Sequence, residues 1–183
     1  MKTVLVLKGS ARKDSVSSLV SDKFTECAGE KFNIKTYNAY KLNPKPCYGC
    51  GACGKEKKCI NRDLDEFFAD FEQADYFVIS TPVYNSSVPS PLKAIVDRFQ
   101  LYYALRFEHG IKPPVAKHKK AALIISAGSK GEGREEIEKM FRRQFTVLNT
   151  ALEATVFVDS TDTKPITEES LKEAREKGKI FFK

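Results

Sequence analysis

Short β-rich apolar runs recur along this chain, each followed by a stretch with helical spacing, and that alternation leaves few folds open. Val4-Leu-Val-Leu7, the alternating segment Phe32 to Tyr37, Tyr76-Phe-Val-Ile-Ser80, Ala121-Ala-Leu-Ile-Ile125 and Thr155-Val-Phe-Val158 read as strands. Between them lie helical patterns at about 15–29, at 63–74, at 91–108 and at 133–151, with a last one at 168–181. The second is expected to start on Asp63 as its cap and to bury Leu64, Phe67, Phe68 and Phe71. The third places Leu92, Ile95, Val96, Phe99 and Tyr103 on one side. Strands alternating with helices imply right-handed crossovers and a parallel α/β sheet covered on both faces. With 183 residues and no repeat or linker, one domain spanning 1–183 is expected.

Bulk properties exclude several classes. Hydrophobic residues at 42% beside 30% charged residues describe a soluble globular chain. No apolar run approaches a membrane span, so no membrane partner is expected. The opening Met1 to Lys8 resembles a signal peptide only briefly, because its apolar core is four residues long. The expected compartment is the cytoplasm, where thiols stay reduced and the Asn85-Ser-Ser87 sequon is accidental. The net charge of +7 comes without a nucleic-acid motif, which argues against a nucleic-acid partner.

Four of the five cysteines fall within thirteen residues, Cys47-Tyr-Gly-Cys50-Gly-Ala-Cys53-Gly-Lys-Glu-Lys-Lys-Cys59, inside a loop at 44–62. Thiolates this close repel one another unless a cation neutralises them. Gly49, Gly51 and Gly54 allow the positive-φ turns that aim successive thiols inward. The spacing suits a [4Fe–4S] cluster; a zinc knot, a redox dithiol and cysteines left over from an ancestral cluster are the competing readings. Six basic residues against Glu56 between Lys41 and Arg62 form a collar that could offset an anionic cluster or steer an acidic carrier.

Ligands of such sheets bind beyond the carboxyl ends of the strands. Three loops there carry suggestive chemistry. Gly9-Ser10-Ala-Arg12-Lys13-Asp-Ser15-Val16-Ser17-Ser18 offers hydroxyls, cations and amides at a helix N-terminus, which suits a phosphate. It matches neither the Walker loop nor the Gly-x-Gly-x-x-Gly fingerprint. Thr81-Pro82-Val83-Tyr84-Asn85-Ser86, continuing to Pro91, offers a flat ring and an amide that could hold a planar heterocycle. Ser126-Ala127-Gly128, continuing to Gly133, lets backbone approach a ligand. Ordinary helix capping and turn chemistry would account for each loop singly. His109 and His118 lie outside these loops and read as surface residues, and Cys27 as a packed small hydrophobe.

Taken in order, the Gly9–Ser15 loop, the cysteine run, Ser80-Thr-Pro-Val-Tyr-Asn85 and Leu92-Lys-Ala-Ile-Val-Asp-Arg98 resemble the iron–sulfur flavoproteins. These belong to the wider NADPH-dependent FMN reductase-like group of flavodoxin-fold proteins. The resemblance covers roughly the first 130 residues and implies a flavodoxin-like three-layer sandwich with strand order 2-1-3-4-5. It implies FMN, with its phosphate on Ser10, Arg12, Lys13, Ser15, Val16 and Ser17. The ring system would then rest against Pro82, Val83, Tyr84, Asn85 and Ser86 and against Ser126, Ala127 and Gly128. It also implies a [4Fe–4S] cluster on Cys47, Cys50, Cys53 and Cys59, and homodimers or homotetramers. Ala11 and Val16 depart from the family's usual Pro and Asn in the phosphate loop.

The function so implied is electron transfer between a ferredoxin or another small redox carrier and an acceptor. An NAD(P)H-dependent FMN or quinone reductase without a cluster is the second reading, and a zinc-bearing regulatory domain the third.

Overall fold

The computed structural model describes residues 1–183 and contains a five-stranded sheet in the order β2-β1-β3-β4-β5, with every pairing parallel. The strands are β1 (Lys2–Lys8), β2 (Phe32–Asn38), β3 (Tyr76–Pro82), β4 (Lys119–Ser126) and β5 (Thr150–Val158). Eight α-helices accompany them: α1 (Val16–Thr25), α2 (Ala39–Leu42), α3 (Ala52–Glu56), α4 (Asp65–Gln73), α5 (Ser90–Arg98), α6 (Gln100–Phe107), α7 (Arg134–Val147) and α8 (Glu168–Phe181). The parallel sheet is the one that the strand–helix alternation implies, and its order is the flavodoxin-like one that the resemblance implies.

The period of two along each strand divides the core. Leu5, Leu7, Phe77, Ile79, Leu123 and Ile125 point into a large apolar cluster with residues of α4, α5, α6 and α7. Their neighbours Val4, Val6, Tyr76, Val78, Ala122 and Ile124 point into a second cluster with Val20, Phe24, Ala174 and Phe181 of α1 and α8. Burial on both faces is why the inner strands read as continuous apolar runs.

Several boundaries differ from the sequence reading. The helix expected at 15–29 ends at Thr25, and a 3-10 helix, Glu26–Lys31, takes the chain to β2. The single helix expected at 91–108 is two. Phe99 accepts amides from Tyr102 and Tyr103 while its own amide bonds Val96, so the turn tightens there. Its ring is buried against Phe68, Phe71 and Tyr102, which fixes the break. Asp63 does not cap α4; Leu64 occupies the cap position without a side-chain bond. The Asp63 carboxylate instead accepts from the Lys45 amide at 2.8 Å and from Arg98 at 3.0 Å. Strand β5 begins five residues earlier than the apolar run, at Thr150, because this edge strand is only half covered. A bulge opposite Ala121 and Ala122 skips Glu153.

Candidate functional site

Strand order reverses between β1 and β3, and the crevice at that point is the expected ligand position. A cavity of about 510 Å³ lies there. From the first loop it takes Ser10, Arg12, Ser15 and Val16; from the second Pro82, Val83, Tyr84 and Asn85; from the third Ser126 and Gly128. Lys13 and Ser86 stand outside its lining, both exposed, while Ser17 and Ala127 are buried.

Local chemistry explains each loop. Ser15 caps α1, accepting the Ser18 amide at 3.2 Å and donating to the Ser18 hydroxyl at 2.8 Å. Ser10 Oγ accepts the Arg12 amide at 3.2 Å, and the Ser10 carbonyl is held by Asn38 Nδ2 at 2.8 Å. Asn38 also caps α2 through Oδ1, so the end of β2 pins the first loop. Gly9 permits the exit from β1: a Cβ there would lie 2.7 Å from Leu92 Cδ2 and 3.0 Å from the Ser80 carbonyl. The second loop is a tight hairpin in which Tyr84 and Ser87 exchange both backbone bonds. Its central residues take φ of 49° at Asn85 and 58° at Ser86, a left-handed pair that Asn tolerates well.

The fourth lining segment was not among the sequence candidates. Thr161 and Asp162, after β5, line the cavity together with Asp14 and Glu132. Thr161 bonds the Ala127 carbonyl through both its amide and its hydroxyl, at 3.1 and 3.0 Å. Asp159 Oδ2 accepts the Gly131 amide at 2.9 Å. The carboxyl-end rule that selected three loops would also have selected this one, the polar run that follows Val158. The Tyr40 phenol is pushed above its ordinary value by burial first and then by Tyr84.

All four clustered cysteines line a second, smaller cavity of about 160 Å³. Cys47 and Cys50 are exposed, Cys53 and Cys59 half-buried, and all four thiols are free. Gly49 and Gly51 take φ of 65° and 72°, the positive turns that the spacing calls for. Gly54 serves a different end: α6 packs on α3 there, and the Glu108 carboxylate fills the space a Cβ would need. His109 is half-buried rather than a surface residue, its Nε2 lying 3.2 Å from the Cys53 carbonyl. Burial pushes the Cys53 thiol up; the Gly54 amide opposes this, and Glu108 and Cys47 add to it.

No three His, Cys, Asp or Glu side chains converge on one metal-ion position. In a cubane each thiolate takes a different iron, so the sulfurs must surround a volume rather than meet at a point. Four free cysteines around one cavity supply the number of thiolate donors such a group takes.

Comparison with known proteins places this architecture. Residues 2–163 match the profile of the family described as NADPH-dependent FMN reductase. The chain belongs to that family. Among family relatives, an iron-sulfur flavoprotein of Methanosarcina thermophila is 30% identical over 132 residues, 71% of this chain. The match spans 65% of that relative's own length. An FMN-dependent NADH:quinone oxidoreductase of Idiomarina loihiensis is 26% identical over 100% of this chain and 95% of its own. An azoreductase from Bacillus anthracis superposes with a TM-score of 0.71 at 19% identity, covering 99% of this chain and 100% of its own. At that identity the superposition speaks for the fold.

Proposed function

We propose that this chain is an FMN-dependent electron-transfer protein that also carries a [4Fe–4S] cluster, exchanging electrons between a small ferredoxin-like carrier and an acceptor. The observation that supports it most is the pairing of a three-loop crevice at the sheet's switch point with a separate cavity lined by four free cysteines. Bound FMN supplies one- and two-electron chemistry and the cluster one-electron transfer.

The chain's own residues have distinct tasks in this reading. Ser10, Arg12, Ser15 and Ser17, with amides from Lys13 to Ser17, hold the phosphate at the positive end of α1. Tyr84 and Asn85 present a ring and an amide from a rigid hairpin, and Pro82, Val83 and Ser86 set its position. Ser126, Ala127 and Gly128 offer backbone, braced by Thr161. Cys47, Cys50, Cys53 and Cys59 hold the cluster. Helix α5 starts after the Tyr84 hairpin and ends at Arg98 in the cysteine cavity. Nine residues rise about 12 Å along its axis, which separates the two sites within one chain. A homodimer or homotetramer is part of the reading.

A second reading is an NAD(P)H-dependent FMN or quinone reductase, favoured by the full-length match to the Idiomarina enzyme. Protein purified without oxygen, with and without Cys47→Ser, should be assayed for iron, acid-labile sulfide, zinc and FMN. About four irons and four sulfides with FMN, lost on substitution, are expected. FMN without iron overturns the cluster and leaves the reductase; zinc without FMN overturns both.

A further inference from the structure

Arg98 is the largest fully buried side chain of the protein, at 2% exposure, and it lines the cysteine cavity. Its guanidinium clasps both feet of the cysteine loop. Nη1 donates to the Lys45 carbonyl at 3.2 Å and to Asp63 Oδ1 at 3.0 Å, and Nη2 donates to the Asn61 carbonyl at 2.7 Å. Nε is buried and has no partner. A buried donor of a charged group is rarely left without one, and an ion or redox group nearby is among the usual reasons. The charge itself is balanced by a single carboxylate, Asp63, which also accepts the Lys45 amide.

We propose that Arg98 is a positioning residue that holds the cysteine loop closed and sets the reduction potential of the group the four cysteines bind. This rests on the cluster reading above. A cubane on four thiolates is an anion in both redox states, and taking one electron from the donor carrier adds one negative charge. A fixed guanidinium in a poorly hydrated wall stabilises the more negative state. Asp63 acts in the opposite sense by offsetting part of that charge. The two residues therefore pull the potential in opposite directions, although both anchor the same loop.

That opposition supplies the test. Wild-type, Arg98→Met, Arg98→Lys and Asp63→Asn proteins are prepared without oxygen, assayed for iron and sulfide, and titrated potentiometrically with the reduced cluster followed by electron paramagnetic resonance. Arg98→Met is expected to weaken reduction at least tenfold, a downward shift of about 59 mV for one electron. Arg98→Lys shifts it down by less, and Asp63→Asn shifts it up. Shifts of the same sign in all variants, or none, overturn the inference and leave the cluster reading standing, because loosening the loop alone would act alike in each. If Arg98→Met loses its iron, Arg98→Lys and Asp63→Asn decide. A wild type with FMN but no iron or sulfide overturns the cluster reading and the inference with it.

Discussion

Asp162 sits where the side chain of any residue but glycine at position 128 would have to go. Its carboxylate occupies the space of a Gly128 Cβ, and the Asp162 amide bonds the Gly128 carbonyl at 3.4 Å. Gly128 has no left-handed φ, so the requirement is one of room and not of backbone strain. Gly128→Ala is therefore expected to swing the Asp162 carboxylate aside within the crevice and to weaken FMN binding by less than tenfold, under about 1.4 kcal/mol. Adding Asp162→Ala should restore most of the affinity, measured by quenching of flavin fluorescence.

Arg12 is exposed on the first loop and lines the crevice. If it serves the phosphate, Arg12→Ala lowers FMN affinity about tenfold, since a charge-assisted bond contributes about 1.5–3 kcal/mol. Riboflavin lacks the phosphate, so its affinity should not change. Equal losses for the two flavins in parallel titrations would place Arg12 elsewhere.

Acid should destabilise the fold through three carboxylates. Lys35 and Tyr37 hold Asp70 below its ordinary value against a smaller cost of burial. Burial raises Asp63 and Asp75, but the Lys45 amide and Arg98 outweigh it in the first, and the Thr3 amide and Lys117 in the second. Each group binds its proton more weakly folded than unfolded. Stability is thus full above the unfolded value of 3.8 and is lost as pH falls through the lower folded values. Urea midpoints measured from pH 6 to 2 should fall, and Asp70→Asn should shrink that fall.

Lys119 predicts the opposite limb. It is wholly buried at the start of β4, with Nζ 4.9 Å from the centre of the Phe71 ring and donating to the Glu72 and Lys117 carbonyls. Burial first, then the charge of Lys117, brings its pKa down to about 8 from 10.5. Between those values the unfolded chain holds the proton more tightly, so stability rises with pH across that window. Lys119→Met should flatten the rise in urea midpoint between pH 8 and 10.5; an unchanged slope would show that the amine is charged inside the fold.

The sheet was legible because its inner strands are covered on both sides. Tyr76–Pro82 and Lys119–Ser126 are buried almost throughout, and their centres, Tyr76–Ile79 and Ala121–Ile125, read as unbroken apolar runs. Thr150–Ala154 was missed because an edge strand with one open face breaks that pattern with Glu153. The cysteine spacing, the Ser15 cap and the Tyr84 loop were visible for a related reason: each encodes its geometry within a few consecutive residues.

The chain alone thus determined the fold class, the three loops at the carboxyl ends and the four thiols within one short segment. Local periodicity and turn chemistry specify such features without reference to distant residues. Contacts across long sequence separations were decided by the tertiary structure. Only packing of α5 against the cysteine loop buries Arg98 between Lys45, Asn61 and Asp63, and only the turn after β5 brings Asp162 to Gly128. A charged residue on a helix carries no mark of such a role in the sequence. Its meaning comes from the desolvation and the partners that folding imposes.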